Sequence, residues 1–493
     1  MKSRKILLFV AAVIAVLSLA AFIFPEEGIS IGKLHLRYPT LHSLLREEVA
    51  EEPAATDTTT VPTVMTLKDS VDYYAKLVDS GDLRFWLPNH NYFDSMWANM
   101  EQARIQKRTV RVLHYGDSQI EMDHMTSRLR ANLQETFGGG GPGMLPFRTI
   151  TPTTTVKQSN HGDLIHLASF GDSLAVKSNG NYGPMMQSFR LEGGNATVTV
   201  KAATTNRVDN RAKKFNRIQL ISNNRSGLNY EITNLKNKKE RHNNKTSQHG
   251  VGIISWQTDT ITDGFKMQIS GNADLYAVLI DSDSGGVAVD NIPMRGCSGQ
   301  QFTLVNKDLL TSSYATMDIG LIIMQFGGNS VPYFKDTAQI STYCRSIGKQ
   351  IDHLHSCCPK ARILFIGPSD MSKRIKGEMQ TYPMIPVLID SLIATANAHD
   401  AAYWSIYHAM GGWNTMPIWS RQGLAGKDYI HFSQKGADLM GDRLSEALSN
   451  SYKLYQLEKR YEAQKPVVKA KKAQGVKKKA KVRKGRRKKG GRR

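Results

Sequence analysis

The sequence predicts an α/β fold in which helices cover both faces of a parallel sheet, with an inserted all-β domain. Two observations predict the sheet: short apolar runs end in polar or glycine-containing turns, and helix-like segments separate these runs. A third observation predicts the insert. Between residues 148 and 284, short alternating runs are separated by Gly, Asn and Asp, the pattern of an antiparallel sandwich. Residues 67–147 and 285–455 are then predicted to form one α/β domain.

The elements of the α/β part alternate along the chain. Two amphipathic helices precede the first strand, and a helix follows it. After the insert, strands and helices alternate again, which favours parallel pairing with helices on both sides of the sheet. The predicted strands cover residues 110–115, 319–325, 362–366 and, more weakly, 401–406, and the predicted helices cover 67–79, 92–106, 122–133, 337–354, 383–398 and 433–449.

The insert has β-strand patterns and aromatic residues that could serve binding. Its predicted strands cover residues 196–201, 217–221, 252–256, 265–269 and 275–280. Tyr182, Trp256 and Tyr276 could stack on sugar rings. Aromatic residues in such strands are more often part of the core or its rim.

The N-terminal residues 1–27 are predicted to be a membrane anchor or a signal peptide. A basic start, MKSRK, precedes an apolar run over residues 6–24, long enough to cross a bilayer. Ser18-Leu19-Ala20 is an acceptable cleavage site, but the apolar run continues past it, which favours a retained anchor. The expected localisation is therefore the cell envelope, with the body anchored to the inner membrane and facing the periplasm or exterior. Residues 28–66 read as a linker region, whose second half is an acidic Thr/Pro stretch.

Residues 456–493 are predicted to be a disordered basic tail. The sixteen Lys and Arg residues after Gln464, with no acidic residue, supply most of the net charge of +22. Such a tail either solubilises the protein or attaches it to anionic partners such as phospholipid headgroups, lipopolysaccharide or wall carboxylates. Nucleic acid is an unlikely partner for an exported protein, although basic runs bind it without sequence preference.

The sequence predicts no cofactor and no metal. The glycine-rich stretch 138–143 lacks the Lys-Ser/Thr of a phosphate loop, and no His/Cys spacing is typical of zinc. A disulfide from Cys344 to Cys357 or Cys358 is compatible with export, and free buried thiols are equally compatible with the spacing.

The chemistry is expected to centre on Ser118. Gly116-Asp117-Ser118 directly follows the first apolar strand and precedes a helix. A serine in such a turn presents its hydroxyl at the carboxyl end of the sheet, close to free backbone N–H groups, where a nucleophile and part of an oxyanion hole belong. Asp and Ser are also favoured helix caps, so the tripeptide alone does not decide between the two roles.

Three later motifs favour the catalytic interpretation. His431 is the candidate base, and Asp428, three residues earlier, can fix its tautomer. Asn329 follows an apolar strand and offers a side-chain N–H, while Gly299 offers a backbone N–H without a Cβ. Acyl transfer needs such a nucleophile, base, orienting acid and set of oxyanion donors. Asp370, after the strand at 362–366, is the rival orienting acid by topology.

These motifs resemble the four blocks of the SGNH hydrolases, the GDSL-type esterase superfamily. The blocks correspond to Gly116-Asp117-Ser118, Gly299, Gly328-Asn329 and Asp428-x-x-His431. The resemblance implies a three-layer α/β/α sandwich of flavodoxin-like topology, with Ser118, Gly299, Asn329 and His431 in the family's catalytic positions. Two positions depart from the family pattern, because Gln119 stands where Leu is common and Ser330 stands where Asp often follows the Asn.

The inserted β-domain narrows the resemblance to bacterial peptidoglycan O-acetylesterases, whose insert resembles a carbohydrate-binding module. That resemblance implies a serine esterase that removes O-acetyl groups from a cell-envelope glycan, above all peptidoglycan, through an acetyl-Ser118 intermediate. Ser118, Gly299 and Asn329 would form its oxyanion hole. An O-acetyltransferase on the same fold is the first alternative, and a non-catalytic glycan-binding protein of the envelope is the second.

Overall fold

The computed structural model describes residues 29–31, 34–36, 65–79, 81, 83–171 and 180–464. The chain divides into two units, Met1–Val64 and Met65–Arg493. In the first unit, β1 (Ile29–Ile31) pairs with β2 (Leu34–Leu36) as an antiparallel hairpin. All elements described below belong to the second unit.

The helices of the second unit pack with their apolar residues against the sheets or against other helices. Those among its described residues are α1 (Leu67–Asp79), α2 (Asp94–Ile105), α3 (Thr126–Phe137), α4 (Lys307–Ala315), α5 (Thr337–Cys357), α6 (Ile385–Ala398), α7 (Ile406–Met410), α8 (Thr415–Arg421) and α9 (Gln434–Gln464).

The strands of the second unit form a mixed sheet, an antiparallel sheet and a short hairpin. In chain order they are β3 (Phe85–Trp86), β4 (Thr109–Gly116), β5 (Gly143–Leu145), β6 (Val156–His161), β7 (Ile165–Ala168), β8 (Gln187–Ala202), β9 (Phe215–Asn224), β10 (Leu228–Asn234), β11 (Arg241–Thr246), β12 (Gly250–Thr262), β13 (Gly264–Asp281), β14 (Gly286–Pro293), β15 (Asp318–Gln325), β16 (Arg362–Ile366), β17 (Ser372–Ile375), β18 (Glu378–Thr381) and β19 (Ala402–Trp404).

The mixed sheet has the order β14-β4-β15-β16-β19-β3. Its first five strands are parallel, and only the edge strand β3 runs antiparallel. Numbered by position in the chain, the parallel strands follow the order 2-1-3-4-5 of doubly wound, flavodoxin-like sheets. Residues of α2, α3 and α9 form one buried core on one face, and residues of α4, α5 and α6 contribute to another core on the opposite face. The predicted three-layer sandwich is confirmed.

The predicted all-β part is also confirmed. Nine strands form an antiparallel sheet in which the long strand β13 pairs with β8, β9 and β10 and also with β5. The sheet has its own core, which includes Val198 of β8 and Trp256 of β12. The strand β5, at residues 143–145, already belongs to this sheet, ahead of the expected insert boundary at 148.

The three aromatic residues considered for sugar stacking lie inside the protein. Tyr182, Trp256 and Tyr276 are all buried, and the hydroxyl of Tyr276 donates to the side chain of Asn181. Their apolar area stabilises the fold by being removed from water. They therefore belong to the core, which is the role that the sequence analysis favours, and they do not act as sugar-stacking platforms.

One strand of the parallel sheet escaped the sequence analysis. The strand β14 contains Asp290 and Asn291, which interrupt its apolar run. Asp290 is fully buried there because Arg111 of β4 donates two hydrogen bonds to its carboxylate, at 2.6 and 2.9 Å. Arg111 also donates to Asp281 of β13 at 2.7 Å. A buried ion triad thus joins the parallel sheet to the antiparallel one.

The expected membrane anchor, and the cell-envelope localisation inferred from it, need correction. Among the residues that the structure describes, no helix combines the length and the hydropathy that a bilayer span needs. Residues 1–27, to which the anchor was assigned, lie outside the described part, as do residues 465–493 of the expected tail.

The first residues of the expected disordered tail are ordered. Residues 456–464 are helical and continue α9, where Leu457 is buried and Lys459 donates to Glu101 at 2.7 Å.

Candidate active site

The turn after β4 presents Ser118 at the carboxyl end of the parallel sheet. Asp117 caps a 3₁₀ turn over Ser118–Ile120, and its side chain accepts a hydrogen bond from the N–H of Gln119 at 3.0 Å. Glycine is needed at position 116, since a Cβ there would lie 2.9 Å from the buried Ile120 side chain. The sequence Gly-Asp-Ser therefore builds the turn and aims the serine.

Ser118, His431 and Asp428 form a continuous hydrogen-bonded chain. The Oγ of Ser118 lies 2.8 Å from Nε2 of His431, and Nδ1 of His431 lies 2.7 Å from Oδ2 of Asp428. The second carboxylate oxygen of Asp428 accepts the N–H groups of Ile430 and His431, at 3.0 and 3.1 Å. With Nδ1 donating to Asp428, Nε2 is left to accept the proton of Ser118.

The electrostatics of Asp428 suit an orienting acid. Partial burial raises its pKa, but the hydrogen bonds from His431 and from two backbone N–H groups outweigh this, so the pKa of Asp428 lies below its ordinary value. The carboxylate therefore stays ionised at neutral pH and can stabilise an imidazolium on His431.

Asp370, the topological rival, has other partners. Its carboxylate accepts from the hydroxyl of Thr381 and from the N–H of Met416, both at 2.7 Å, and it is fully buried. It thus secures the start of α8 and the end of β18. Burial is the main reason that the pKa of Asp370 lies above its ordinary value.

The candidate oxyanion donors differ in two respects: whether their N–H groups are already hydrogen-bonded, and whether the residues line the cavity over Ser118. In the part of the chain that the structure describes, no hydrogen bond occupies the backbone N–H of Ser118 or Gly299. Gly299 has a φ of +85°, and a Cβ at this position would lie 2.8 Å from the Phe326 ring. Asn329 lines the cavity that contains Ser118, whereas Gly299 does not.

The amide of Asn329 is held by two acceptors. Its Nδ2 donates to Oδ2 of Asp117 at 3.1 Å and to the carbonyl oxygen of Cys297 at 2.9 Å. Asp117 is nearly inaccessible, and burial is the main cause that raises its pKa to about 6. The loop at 296–299 and the turn at Ser118 are therefore both tied to Asn329, and both N–H groups of its amide are occupied in the absence of substrate.

An open cavity of about 740 Å³, which includes the solvent at its mouth, lies over Ser118 and His431. An acetyl group fills only a small part of this volume. At the rim, the side chain of Tyr333 is 75% exposed, at the end of the 3₁₀ turn Gly328–Tyr333 that also carries Asn329. Other lining residues are Gln119, Gln325, Phe326, Gly328, Pro332, Gly367, Pro368, Ser369, Met371, Ile406 and Ile430.

The sequence analysis missed the roles of Asp117 and Gln119. Asp117 sits inside the family motif, yet only the structure shows that it bonds to Asn329. Gln119 was noted only as a departure from Leu, and it contacts the segment around His431. No residue pattern signals either contact, because the partners come from distant parts of the chain.

No metal-binding cluster of three or more His, Cys, Asp or Glu residues occurs among the described residues. Cys297, Cys344, Cys357 and Cys358 are all free thiols. Burial raises the pKa of the Cys297 thiol to about 12, so this thiol beside Asn329 stays protonated and is a poor nucleophile.

Among the comparisons with known proteins, only those with solved structures reveal a similarity. No protein-family model matches the chain, and no curated protein sequence is significantly similar to it. A solved structure described as a peptidoglycan O-acetylesterase in action is similar over 75% of this chain and 99% of its own, with a TM-score of 0.60 and 21% identity. This similarity confirms the α/β fold with its extra β-domain.

Two further structures match far less well. A family two carbohydrate esterase from Cellvibrio japonicus matches 60% of this chain and 99% of its own, with 10% identity and a TM-score of 0.23. The periplasmic domain of a lipopolysaccharide acetyltransferase from Salmonella ser. Paratyphi A matches 33% of this chain and 73% of its own, with 13% identity and a TM-score of 0.25. At such TM-scores neither bears on the function.

Proposed function

We propose that this protein is a serine esterase that removes O-acetyl groups from a glycan, and that peptidoglycan is its substrate. The observation that carries the proposal is the chain from Ser118 through His431 to Asp428, with distances of 2.8 and 2.7 Å, at the floor of an open cavity. Nucleophile, base and orienting acid with these contacts are the groups that acyl transfer needs.

The reaction would proceed in two halves. The Oγ of Ser118 attacks the acetyl carbonyl carbon while Nε2 of His431 takes the hydroxyl proton, and the sugar alcohol leaves with that proton. The backbone N–H groups of Ser118 and Gly299, together with one N–H of Asn329 that leaves its bond to Asp117 or Cys297, stabilise the oxyanion of each tetrahedral intermediate. A water molecule, deprotonated by His431, then attacks the acetyl-Ser118 ester and releases acetate. No cofactor takes part in this scheme.

Two features support a glycan as the acyl carrier. The cavity is far larger than an acetyl group, and the exposed Tyr333 ring at its rim offers a flat face on which a sugar ring can pack. The similar fold of the structure described as a peptidoglycan O-acetylesterase, over 99% of that chain, makes peptidoglycan the first polymer to test.

The test measures acetate release by the purified full chain from O-acetylated peptidoglycan, acetylated xylan and a small aryl acetate. We expect release from peptidoglycan to exceed that from xylan, and Ser118→Ala to lower every rate by at least about 10³ with little change in Tm. Activity of Ser118→Ala within tenfold of wild type would refute the mechanism. Transfer of acetyl to an added sugar acceptor in preference to water would identify an acetyltransferase instead.

A further inference from the structure

Gln119 bridges the two segments that carry the nucleophile and the base. Its Nε2 donates to the carbonyl oxygen of Ile430 at 2.8 Å, and its Oε1 accepts the N–H of Phe432 at 3.3 Å. These two backbone groups lie on either side of His431. One side chain next to Ser118 therefore holds both neighbours of the candidate base.

Among the residues described, few hydrogen bonds besides those of Gln119 connect the His431 segment to the turn that carries Ser118. The side chains of the His431 segment are well exposed, with 44% of the His431 side chain and 48% of the Asp428 side chain accessible, and Tyr429 between them has a φ of +58°. Within the described residues, the hydrogen bonds that join this segment to the turn at 117–119 are those of Gln119 and the Ser118–His431 bond itself. The remaining anchors, such as the bond from the N–H of Ser372 to the carbonyl of Tyr429, lead to another part of the fold.

The primary amide is the side chain that fits this task. It offers two N–H donors and an acceptor, and it bonds to the C=O of one residue and the N–H two positions later, as a neighbouring β-strand would, while its Nε2 also lies 3.4 Å from Oγ of Ser369. Leucine offers neither group. An ionised glutamate would keep the acceptor for Phe432 but would set a negative oxygen against the carbonyl of Ile430, whereas a protonated glutamate has both a donor and an acceptor.

We propose that Gln119 is a positioning residue that keeps Nε2 of His431 within hydrogen-bond distance of Ser118. The proposal rests on the proposed function for its kinetic consequence, but the tether itself is a structural statement. Misplacement of a catalytic group by about 1 Å can cost about 10² in rate. Loss of the tether therefore affects the chemical step more than substrate binding.

The kinetic test compares Gln119→Leu with Gln158→Leu. Gln158 is a matched control, because its Nε2 also makes two hydrogen bonds to backbone carbonyls, those of Pro146 and Phe147, away from the Ser118 cavity. With the small aryl acetate, we expect Gln119→Leu to lower kcat about 10- to 100-fold with KM within about twofold of wild type. Equal kcat values for the two variants, or an effect on KM alone, would overturn the proposal.

The variant Gln119→Glu adds a pH signature that a merely structural role would not give. Its kcat relative to wild type at the same pH should rise as the pH falls and the new carboxyl group becomes a donor to Ile430. A ratio that does not change with pH, or that falls as the pH falls, would contradict a tether that needs both a donor and an acceptor.

Two measurements separate failure of the tether from failure of the proposed function. The backbone N–H of Phe432 should lose hydrogen-exchange protection in Gln119→Leu but not in Gln158→Leu, and Ser118 should react with a fluorophosphonate at least about tenfold more slowly. Unchanged protection and unchanged labelling would refute the tether. A wild-type protein that labels at Ser118 but hydrolyses none of the acetyl esters would refute the proposed function and leave the tether supported by the slower labelling.

Discussion

The Nε2 atom of His431 lies 2.8 Å from Oγ of Ser118, although the two residues are 313 positions apart in the chain. The sheet topology explains this proximity. Ser118 follows β4, next to the centre of the parallel sheet, and the carboxyl ends of parallel strands share one edge. The segment that precedes α9 returns to the same edge and delivers His431 together with its partner Asp428.

Asp428→Asn should lower kcat by several orders of magnitude and leave the fold intact. The amide would present an N–H to Nδ1 of His431, which favours the wrong tautomer of the imidazole. Steady-state kinetics on an aryl acetate, with Tm as the check on folding, measure the loss. Asp370→Asn is the comparison, and we expect it to lower Tm with a smaller effect on kcat, because its carboxylate bonds to Thr381 and Met416. The opposite pattern would exchange the two roles.

Asn329→Ala should reduce kcat about 10²- to 10³-fold with little change in KM, the usual cost of one lost oxyanion donor. In the free protein the two N–H groups of Asn329 donate to Asp117 and Cys297, so one of these bonds must be exchanged for a bond to the oxyanion as the intermediate forms. Steady-state kinetics on the aryl acetate separate the two constants. A rise in KM alone would mean that Asn329 binds the substrate and does not stabilise the oxyanion.

Tyr333 should matter for glycan substrates and not for small esters. Tyr333→Ala removes the exposed ring at the rim of the cavity, and we expect kcat/KM to fall about tenfold on acetylated peptidoglycan and to change less than twofold on the aryl acetate. Tyr333→Phe keeps the ring face and should retain most of the activity on the polymer. Equal losses on both substrates would indicate that Tyr333 shapes the catalytic site itself.

The sequence was sufficient for those parts of the fold and site that depend on local pattern. Alternating apolar runs and helical segments predicted the parallel sheet, and the shared edge of its strands predicted that Ser118, Asn329 and His431 would lie close together. The structure places them so, although their roles remain predictions. The three-residue spacing to His431 favours Asp428 over Asp370 as the orienting acid, and in the structure the carboxylate of Asp428 lies 2.7 Å from Nδ1 of His431.

The features that the sequence did not reveal depend on partners from distant segments. The strand β14 was missed because a charged residue such as Asp290 is unexpected in a buried strand. Its burial is possible because Arg111, from another strand, donates two hydrogen bonds to its carboxylate. Gln119 is a single polar residue after the serine, and its partners at 430 and 432 come after the whole insert. The helix α9 exceeds its expected end because Leu454 and Leu457 continue its buried face.

Asp117 should make stability depend on pH between about pH 4 and pH 6. Burial raises its folded-state pKa from 3.8 to about 6, so the neutral carboxyl is favoured in the folded protein. The stabilisation is complete below about pH 4 and is lost as the pH rises through about 6, a change of about 3 kcal/mol. Urea unfolding of wild type and Asp117→Asn at several pH values measures it. The free energy of unfolding of wild type should fall relative to the variant as the pH rises, and a constant difference would contradict the shift.

Arg111 should be far costlier to remove than an exposed arginine. Its guanidinium is buried and pairs with Asp290 and Asp281, so Arg111→Met leaves Asp290 buried without a countercharge and Asp281 with only Arg217, 3.9 Å away. We expect the free energy of unfolding to fall by about 3–5 kcal/mol, measured by urea denaturation at pH 7. The matched control is Arg128→Met, because Arg128 pairs with Asp442 while both side chains are more than 40% exposed, and its loss should cost less than about 1 kcal/mol. If the two variants lost the same free energy of unfolding, the triad would contribute no more stability than a surface ion pair. Other contacts would then have to join the antiparallel sheet to the parallel one.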